Sequence, residues 1–118
     1  MTPFFSIIIP VYNTSVLFFS KCLKSIFSQT FLDWELIIVD DGSENNDIIE
    51  FLNKIKSEKT QVILKKHEGV SAARNYAITL CKGKYAIFVD SDDWLESNSL
   101  EKMFFVAKDC KYDQILFN

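Results

Sequence analysis

The sequence lacks any excess of basic residues: 13 Lys and Arg stand against 16 Asp and Glu, for a net charge of −3. That argues against the electrostatic footprint of a nucleic-acid-binding domain or of a protein drawn to anionic lipid. An anionic ligand would have to be held by local donors or by a metal, against the overall field. Long apolar runs are missing too. Those present are short and broken by Pro, Asn or Asp, far from the ~20 residues a membrane-spanning helix needs, and no signal-peptide pattern precedes Phe4. The three cysteines, Cys22, Cys81 and Cys110, are widely spaced and form no C-x-x-C pair. They read as reduced, mostly buried thiols of a cytosolic protein. No G-x-G-x-x-G follows the first apolar run, which excludes the dinucleotide-binding fingerprint. His67 has no second His or Cys partner and is read as neither metal ligand nor catalytic group. Repeats, low-complexity tracts and linkers are also absent.

What is present is an ordinary globular composition, 48% hydrophobic and 25% charged over 118 residues, the size of a single domain with one sizeable core. Apolar runs alternate with amphipathic ones. Strands are expected at Phe4–Val11, Trp34–Val39, Gln61–Lys65 and Tyr85–Val89, with a fifth starting over Gln114–Phe117. Helices are expected at Ser15–Gln29, through Phe19, Cys22, Leu23, Ile26 and Phe27, and at Asn46–Glu58, through Ile48, Phe51, Leu52 and Ile55. A third covers Val70–Cys81, with Val70, Ala73, Ala77, Leu80 and Cys81 inward and Lys82-Gly83 ending it. The last covers Asn98–Lys108 through Leu100, Met103, Phe104 and Ala107. This βαβαβαβαβ order implies an α/β fold: a Rossmann-like parallel sheet with right-handed crossovers and helices on both faces. Because a strand begins at Gln114 and the chain stops at Asn118, the expectation is a fragment of a longer protein.

Ligands of an open parallel sheet bind beyond the carboxyl ends of its strands. Every polar cluster of note follows a strand: Tyr12-Asn13, Asp40-Asp41-Gly42-Ser43, His67-Glu68-Gly69 and Asp90-Ser91-Asp92-Asp93. Five aspartates converging on one edge would repel one another unless a cation binds among them. The helix opening at Val70 points free N–H groups the same way, with Arg74 one turn in. An aromatic ring, carboxylates, a helix N-terminus and an Arg suit a nucleotide diphosphate bound through a divalent metal. Asp90-x-Asp92 offers hard oxygens to Mn²⁺ or Mg²⁺. D-x-D by itself is a weak signal, since Asp is common at strand ends and helix caps; its place opposite a second Asp pair favours the metal.

SIIIPVYN, CLKSIFSQTFLDWELIIVDDGS, GVSAARNYAI and GKYAIFVDSDDWL, in that order, resemble family 2 glycosyltransferases over nearly the whole chain. The resemblance implies the GT-A nucleotide-diphospho-sugar transferase fold, cut short after the D-x-D region. It implies that Tyr12, beside Pro10, packs on the nucleotide base, and that Asp41 and Asp40 contact the base, usually uracil. It places Arg74 near the nucleotide, Asp90 toward the ribose and Asp92 toward the metal. It further implies sugar transfer from a nucleotide-diphosphate sugar to an acceptor hydroxyl with inversion, a base deprotonating that hydroxyl. The family carries this base in a later segment, and nothing in the 28 residues after Asp90 resembles it. The chain alone is therefore expected to bind a donor and not to transfer sugar efficiently. Saccharide or lipid-linked acceptors, as in bacterial polysaccharide synthesis, fit the resemblance. Work at the inner face of a membrane would come only through regions outside this sequence.

Several residues keep a second reading. Tyr12 could simply cover the core, Asp40 could cap the turn at Gly42-Ser43, Asp41 could be structural, and Arg74 could pair with a nearby acid. Trp94 is expected to pack beneath its loop, and Lys54, Lys56, Lys59, Lys65 and Lys66 to form a solvated face. Among rival classes, a phosphotransferase of the haloacid dehalogenase type needs its D-x-D near the start. A response-regulator receiver needs its acidic pair after the first strand and a Lys after the fifth. A nucleotide-sugar-binding module without activity is the remaining alternative.

Overall fold

Alternation along the central strands sorts the apolar side chains into two layers. In the computed structural model, which describes residues 2–109 and the backbone of 116–117, the elements are β1 (Phe5–Val11), α1 (Val16–Phe27), β2 (Trp34–Asp41), α2 (Asn46–Asn53), β3 (Thr60–Lys65), α3 (Val70–Leu80), β4 (Tyr85–Phe88), α4 (Ser99–Ala107) and β5 (Leu116–Phe117). Ile7, Ile9 and Val11 of β1 face one side and Ile8 the other, as the two-residue period requires. The first side holds the larger core, filled by Phe19, Cys22 and Ile26 of α1, Ile48 and Leu52 of α2, and Leu100 and Ala107 of α4. On the second, Ala73 and Ala77 let α3 lie close against Ile8, Ile37 and Val39. The sheet is parallel throughout, in the order β3-β2-β1-β4-β5. Helices therefore cover both faces, as expected.

Strand order reverses between β1 and β4, which opens a crevice between the loops that follow them. The first three crossovers share one hand: α1 and α2 cover one face as the chain steps outward, and α3 covers the other as it steps back. The fourth departs from this. It steps the same way as the third, yet α4 lies on the face of α1, so its hand is opposite to theirs. Hydrogen bonds explain the placement. Gln29, buried after α1, accepts the Leu100 N–H at 3.0 Å and donates to the Glu96 carbonyl, and the Thr30 N–H bonds the Ser97 carbonyl at 2.9 Å.

Element ends differ from expectation in informative ways. β2 runs on through Asp40 and Asp41, which pair with Leu64 and Lys65 of β3 and are buried as strand residues. α2 stops at Asn53, because the chain tightens there into the shorter-range bonds Lys54 N–H to Phe51 O and Ile55 N–H to Leu52 O. Phe51 and Ile55 are consequently only half-buried. Phe27 and Val70 are exposed rather than inward, Phe27 resting edge-on against Trp34. Past α3, the N–H groups of Lys82 and Gly83 bond Glu35, and a Cβ on Gly83 would lie 2.7 Å from the Phe5 backbone. Cys22 is buried and Cys81 half-buried, both free; Cys110 and the expected strand start at Gln114 lie outside the described residues.

Candidate functional site

The loop after β1 is locked to the loop after β2 by one residue. Asn13 adopts a left-handed backbone, φ 51°, which Asn tolerates better than most residues. Its side-chain oxygen accepts the Glu44 and Asn45 N–H groups at 2.8 and 3.0 Å, and its own N–H donates to Ser43 Oγ at 2.8 Å. Ser43 in turn donates its N–H (3.0 Å) and its hydroxyl to the carboxylate of Asp40. Asp40 is thus buried and committed to the turn, and it lines none of the cavities described below. Of the two readings of Asp40, this geometry fits the cap.

Asp41 sits one residue further on and is nearly as buried. It accepts the N–H groups of Glu68 and Gly69, each at 2.9 Å, and meets Lys65 Nζ at 3.4 Å and His67 Nδ1 at 2.9 Å. Burial by itself would raise its carboxyl pKa. The two backbone donors, Lys65 and His67 outweigh that, so the group is held below the ordinary carboxylate value. Asp41 therefore holds the loop between β3 and α3 while one wall of its side chain faces a small cavity. Lys65 is drawn out of the expected solvated face by Asp41 and Glu68, and Lys59 by the ring of Trp34, 3.5 Å away.

That cavity, about 140 Å³, is lined by Pro10, Val11, Tyr12, Asp41, His67 and Val70. Tyr12 is 46% exposed, and its ring stacks on the imidazole of His67, with centroids 4.3 Å apart and planes at 23°. Gly42 makes the approach possible. Its φ is +77°, and a Cβ there would stand 2.6 Å from the His67 backbone nitrogen. His67 was passed over in the sequence because a lone histidine in a polar loop carries no spacing signal, and nothing local reports a ring stacked across 55 residues of chain.

Pro10, Tyr12 and Val70 also line a larger cavity of about 540 Å³, whose far wall is Asp90, Ser91 and Asp92. The D-x-D turn is tied down by three contacts: the hydroxyls of Thr14 and Ser91 at 2.6 Å, the Asp93 N–H on the Asp90 carbonyl at 3.0 Å, and the Cys22 thiol against the same carbonyl at 3.7 Å. Burial first, and then the charges of Asp93, Asp92 and Asp90, push the Cys22 thiol up to about 12. On the other side of the turn a cavity of about 470 Å³ is lined by Arg74, Phe88, Asp90 and Trp94 among others. Arg74 reaches Asp90 at 3.5 Å and lies over the Phe88 ring, with its Nε buried and unpartnered. Trp94 is 64% exposed in this cavity, which corrects the expectation that it packs beneath the loop.

The five aspartates do not form one repelling cluster. Asp40 and Asp41 are compensated internally, and among the described residues no three His, Cys, Asp or Glu side chains gather as a metal cage. Asp90 and Asp92 remain exposed at the end of β4, and Asp92 makes no hydrogen bond or ion pair among the described residues. Two hard carboxylates on an open edge fit Mg²⁺ or Mn²⁺, which take one or two protein oxygens and complete their shell with phosphate and water. Pro10 and Tyr12 border both the slot beside Asp41 and the cavity of Asp90 and Asp92, Asp90 also borders the cavity of Arg74, and Asp40 lines none of the three.

Comparison with known proteins gives the family and the fold. EpsH of Bacillus subtilis is 38% identical over 110 residues, 92% of this chain and 31% of EpsH. The poly(ribitol-phosphate) beta-glucosyltransferase of Bacillus spizizenii is 39% identical over 114 residues, 92% of this chain and 18% of that enzyme. Residues 1–349 of S. aureus TarS, crystallised in complex with UDP-GlcNAc, superpose with a TM-score of 0.76 at 28% identity, covering 89% of this chain and 31% of the TarS chain. The chain thus spans a third or less of these relatives. The GT-A fold is shared with TarS, and the family model for glycosyl transferase family 2 matches residues 6–118. This chain belongs to glycosyl transferase family 2.

Proposed function

We propose that these 118 residues form the donor-binding unit of an inverting, metal-dependent glycosyltransferase that uses a UDP-sugar. The observation that carries the reading is the single crevice joining the Tyr12 slot to the Asp90 and Asp92 edge. The base would lie at Tyr12 beside Pro10, with the Asp41 side chain along its edge. The ribose would face Asp90, and the diphosphate would run toward Arg74 and the open N-terminus of α3. Asp90 and Asp92 would hold Mn²⁺ or Mg²⁺, which when bound neutralises charge on the departing diphosphate.

In the parent reaction an acceptor hydroxyl attacks the anomeric carbon as the bond to the diphosphate breaks, which inverts the configuration, and a base takes the hydroxyl proton. None of the described carboxylates is assigned to that base. Since the chain spans only 31% of EpsH and 18% of the Bacillus spizizenii enzyme, transfer to a saccharide or lipid-linked acceptor is assigned to a protein of family length, and donor binding to this unit. No helix among the described residues is long and apolar enough to cross a membrane.

Calorimetric titration with UDP, CDP and GDP in Mn²⁺ tests the reading. The narrow slot at Tyr12 should favour the single-ring bases, UDP binding at least about 10-fold more tightly than GDP, the scale of one lost stacking or hydrogen-bonding contact. A folded protein that binds none of the three would overturn it.

A further inference from the structure

The ring that Tyr12 would offer to a base is already covered. His67 lies on it at 4.3 Å between centroids, whereas a flat base held between two rings needs about 7 Å, two contacts of ~3.5 Å. Either the base avoids this face of Tyr12 or the stack opens. The second course is favoured by how unequally the two rings are held. Nδ1 of His67 is hydrogen-bonded to the main-chain carbonyl oxygen of Asp41 at 3.0 Å and lies 2.9 Å from its Oδ2, and the His67 backbone is pressed against Gly42. Tyr12 stands 46% exposed, and its hydroxyl makes no hydrogen bond among the described residues. Tyr12 is the ring free to swing. The apolar slot that both rings line continues through Pro10, Tyr12 and Val70 into the cavity of the D-x-D turn, so a base entering there leaves its diphosphate next to Asp90 and Asp92.

We infer that the base of the donor inserts between Tyr12 and His67, the imidazole forming the second wall of the base slot while Asp41 holds it in place. This rests on the donor-site reading above. The Tyr12–His67 stack is then the closed form of the slot: the aromatic faces shield each other until a nucleotide replaces their mutual contact with two contacts to the base.

His67 is the only histidine in the chain, so its ring signals in a carbon-correlated proton spectrum are unambiguous. Magnesium, which is diamagnetic, replaces manganese in the test. With Mg²⁺ and UDP, nuclear Overhauser contacts are expected from the His67 ring protons to H5 and H6 of uracil, together with loss of those between His67 and Tyr12. Magnesium pyrophosphate, which has no base, should bind and leave the Tyr12–His67 contacts intact. By calorimetry, His67→Ala should weaken UDP about 5- to 10-fold and leave pyrophosphate within about 2-fold. If UDP binds and the two rings stay in contact with no signal to uracil, the inference fails while the donor site stands. If neither UDP nor pyrophosphate binds, the donor-site reading fails and the inference with it.

Discussion

Gly69 donates its backbone N–H to Oδ2 of Asp41 at 2.9 Å, so the last residue of β2 holds the residue that opens α3. Gly69 has φ 103° and no capping side chain of its own, and Asp41 supplies the acceptor from across the sheet edge. Glu68 donates to the other carboxylate oxygen at the same distance. One buried side chain thereby positions His67, the start of α3 and, one helical turn later, Arg74.

Because Asp41 ionises below its ordinary value of 3.8, the stability it contributes is present above that value and lost as pH falls through its lower folded value. Asp41→Asn should therefore be less stable than wild type at pH 7 by about 1–3 kcal/mol, the cost of a buried acceptor lost from charged and backbone donors. The gap should narrow between pH 5 and pH 3. Urea unfolding at the three pH values checks this; a gap that widens toward acid would contradict it.

Asp40 should behave differently from the residue beside it. Asp40→Asn breaks the paired acceptance from Ser43 and should also lower stability by about 1–3 kcal/mol. UDP affinity of the folded variant should stay within about 2-fold of wild type, because Asp40 lines no part of the crevice. An affinity loss without a stability loss would restore the base-contact role that the sequence suggested.

Cys22, with its thiol pushed up to about 12, has almost no thiolate at pH 8. Iodoacetamide should leave it unmodified for hours in the native protein and alkylate it once urea unfolds the chain, as read by peptide mass. Modification in the native state at the rate of a free thiol would show that the packing under the D-x-D turn is looser than described.

How much was legible follows from which interactions leave a periodic trace. The parallel layers were readable because Ile7, Ile8 and Ile9 and the run from Leu36 to Val39 are buried on both faces, which leaves near-continuous apolar strands. Tyr12 and Asp90 could be placed at the carboxyl edge of the sheet because a strand-end position is fixed by chain order alone, and Arg74 one turn into the helix that follows β3. Less was visible where one side chain answers to a distant backbone. Asp40 and Asp41 look alike in sequence, yet one extra residue of strand turns Asp40 onto Ser43 and Asp41 onto the loop before α3. Val70 carries an apolar side chain that helical periodicity sends inward, and Trp94 one expected to pack beneath its loop, although both are exposed beside the cavities. The place of α4 depends on Gln29, a polar residue whose three side-chain hydrogen bonds have no signature in the pattern of apolar positions.

The most direct test is the affinity of Asp92→Ala for UDP in Mn²⁺, measured by calorimetry beside wild type and repeated with EDTA. Asp92 makes no hydrogen bond or ion pair among the described residues, so its removal should not disturb the fold. The donor-site assignment predicts that wild type binds UDP only with the metal and that Asp92→Ala loses more than the ~10–100-fold typical of removing even an outer-shell partner of a metal. UDP binding that is equally tight in EDTA and in Asp92→Ala would contradict the assignment of the D-x-D turn as a metal site.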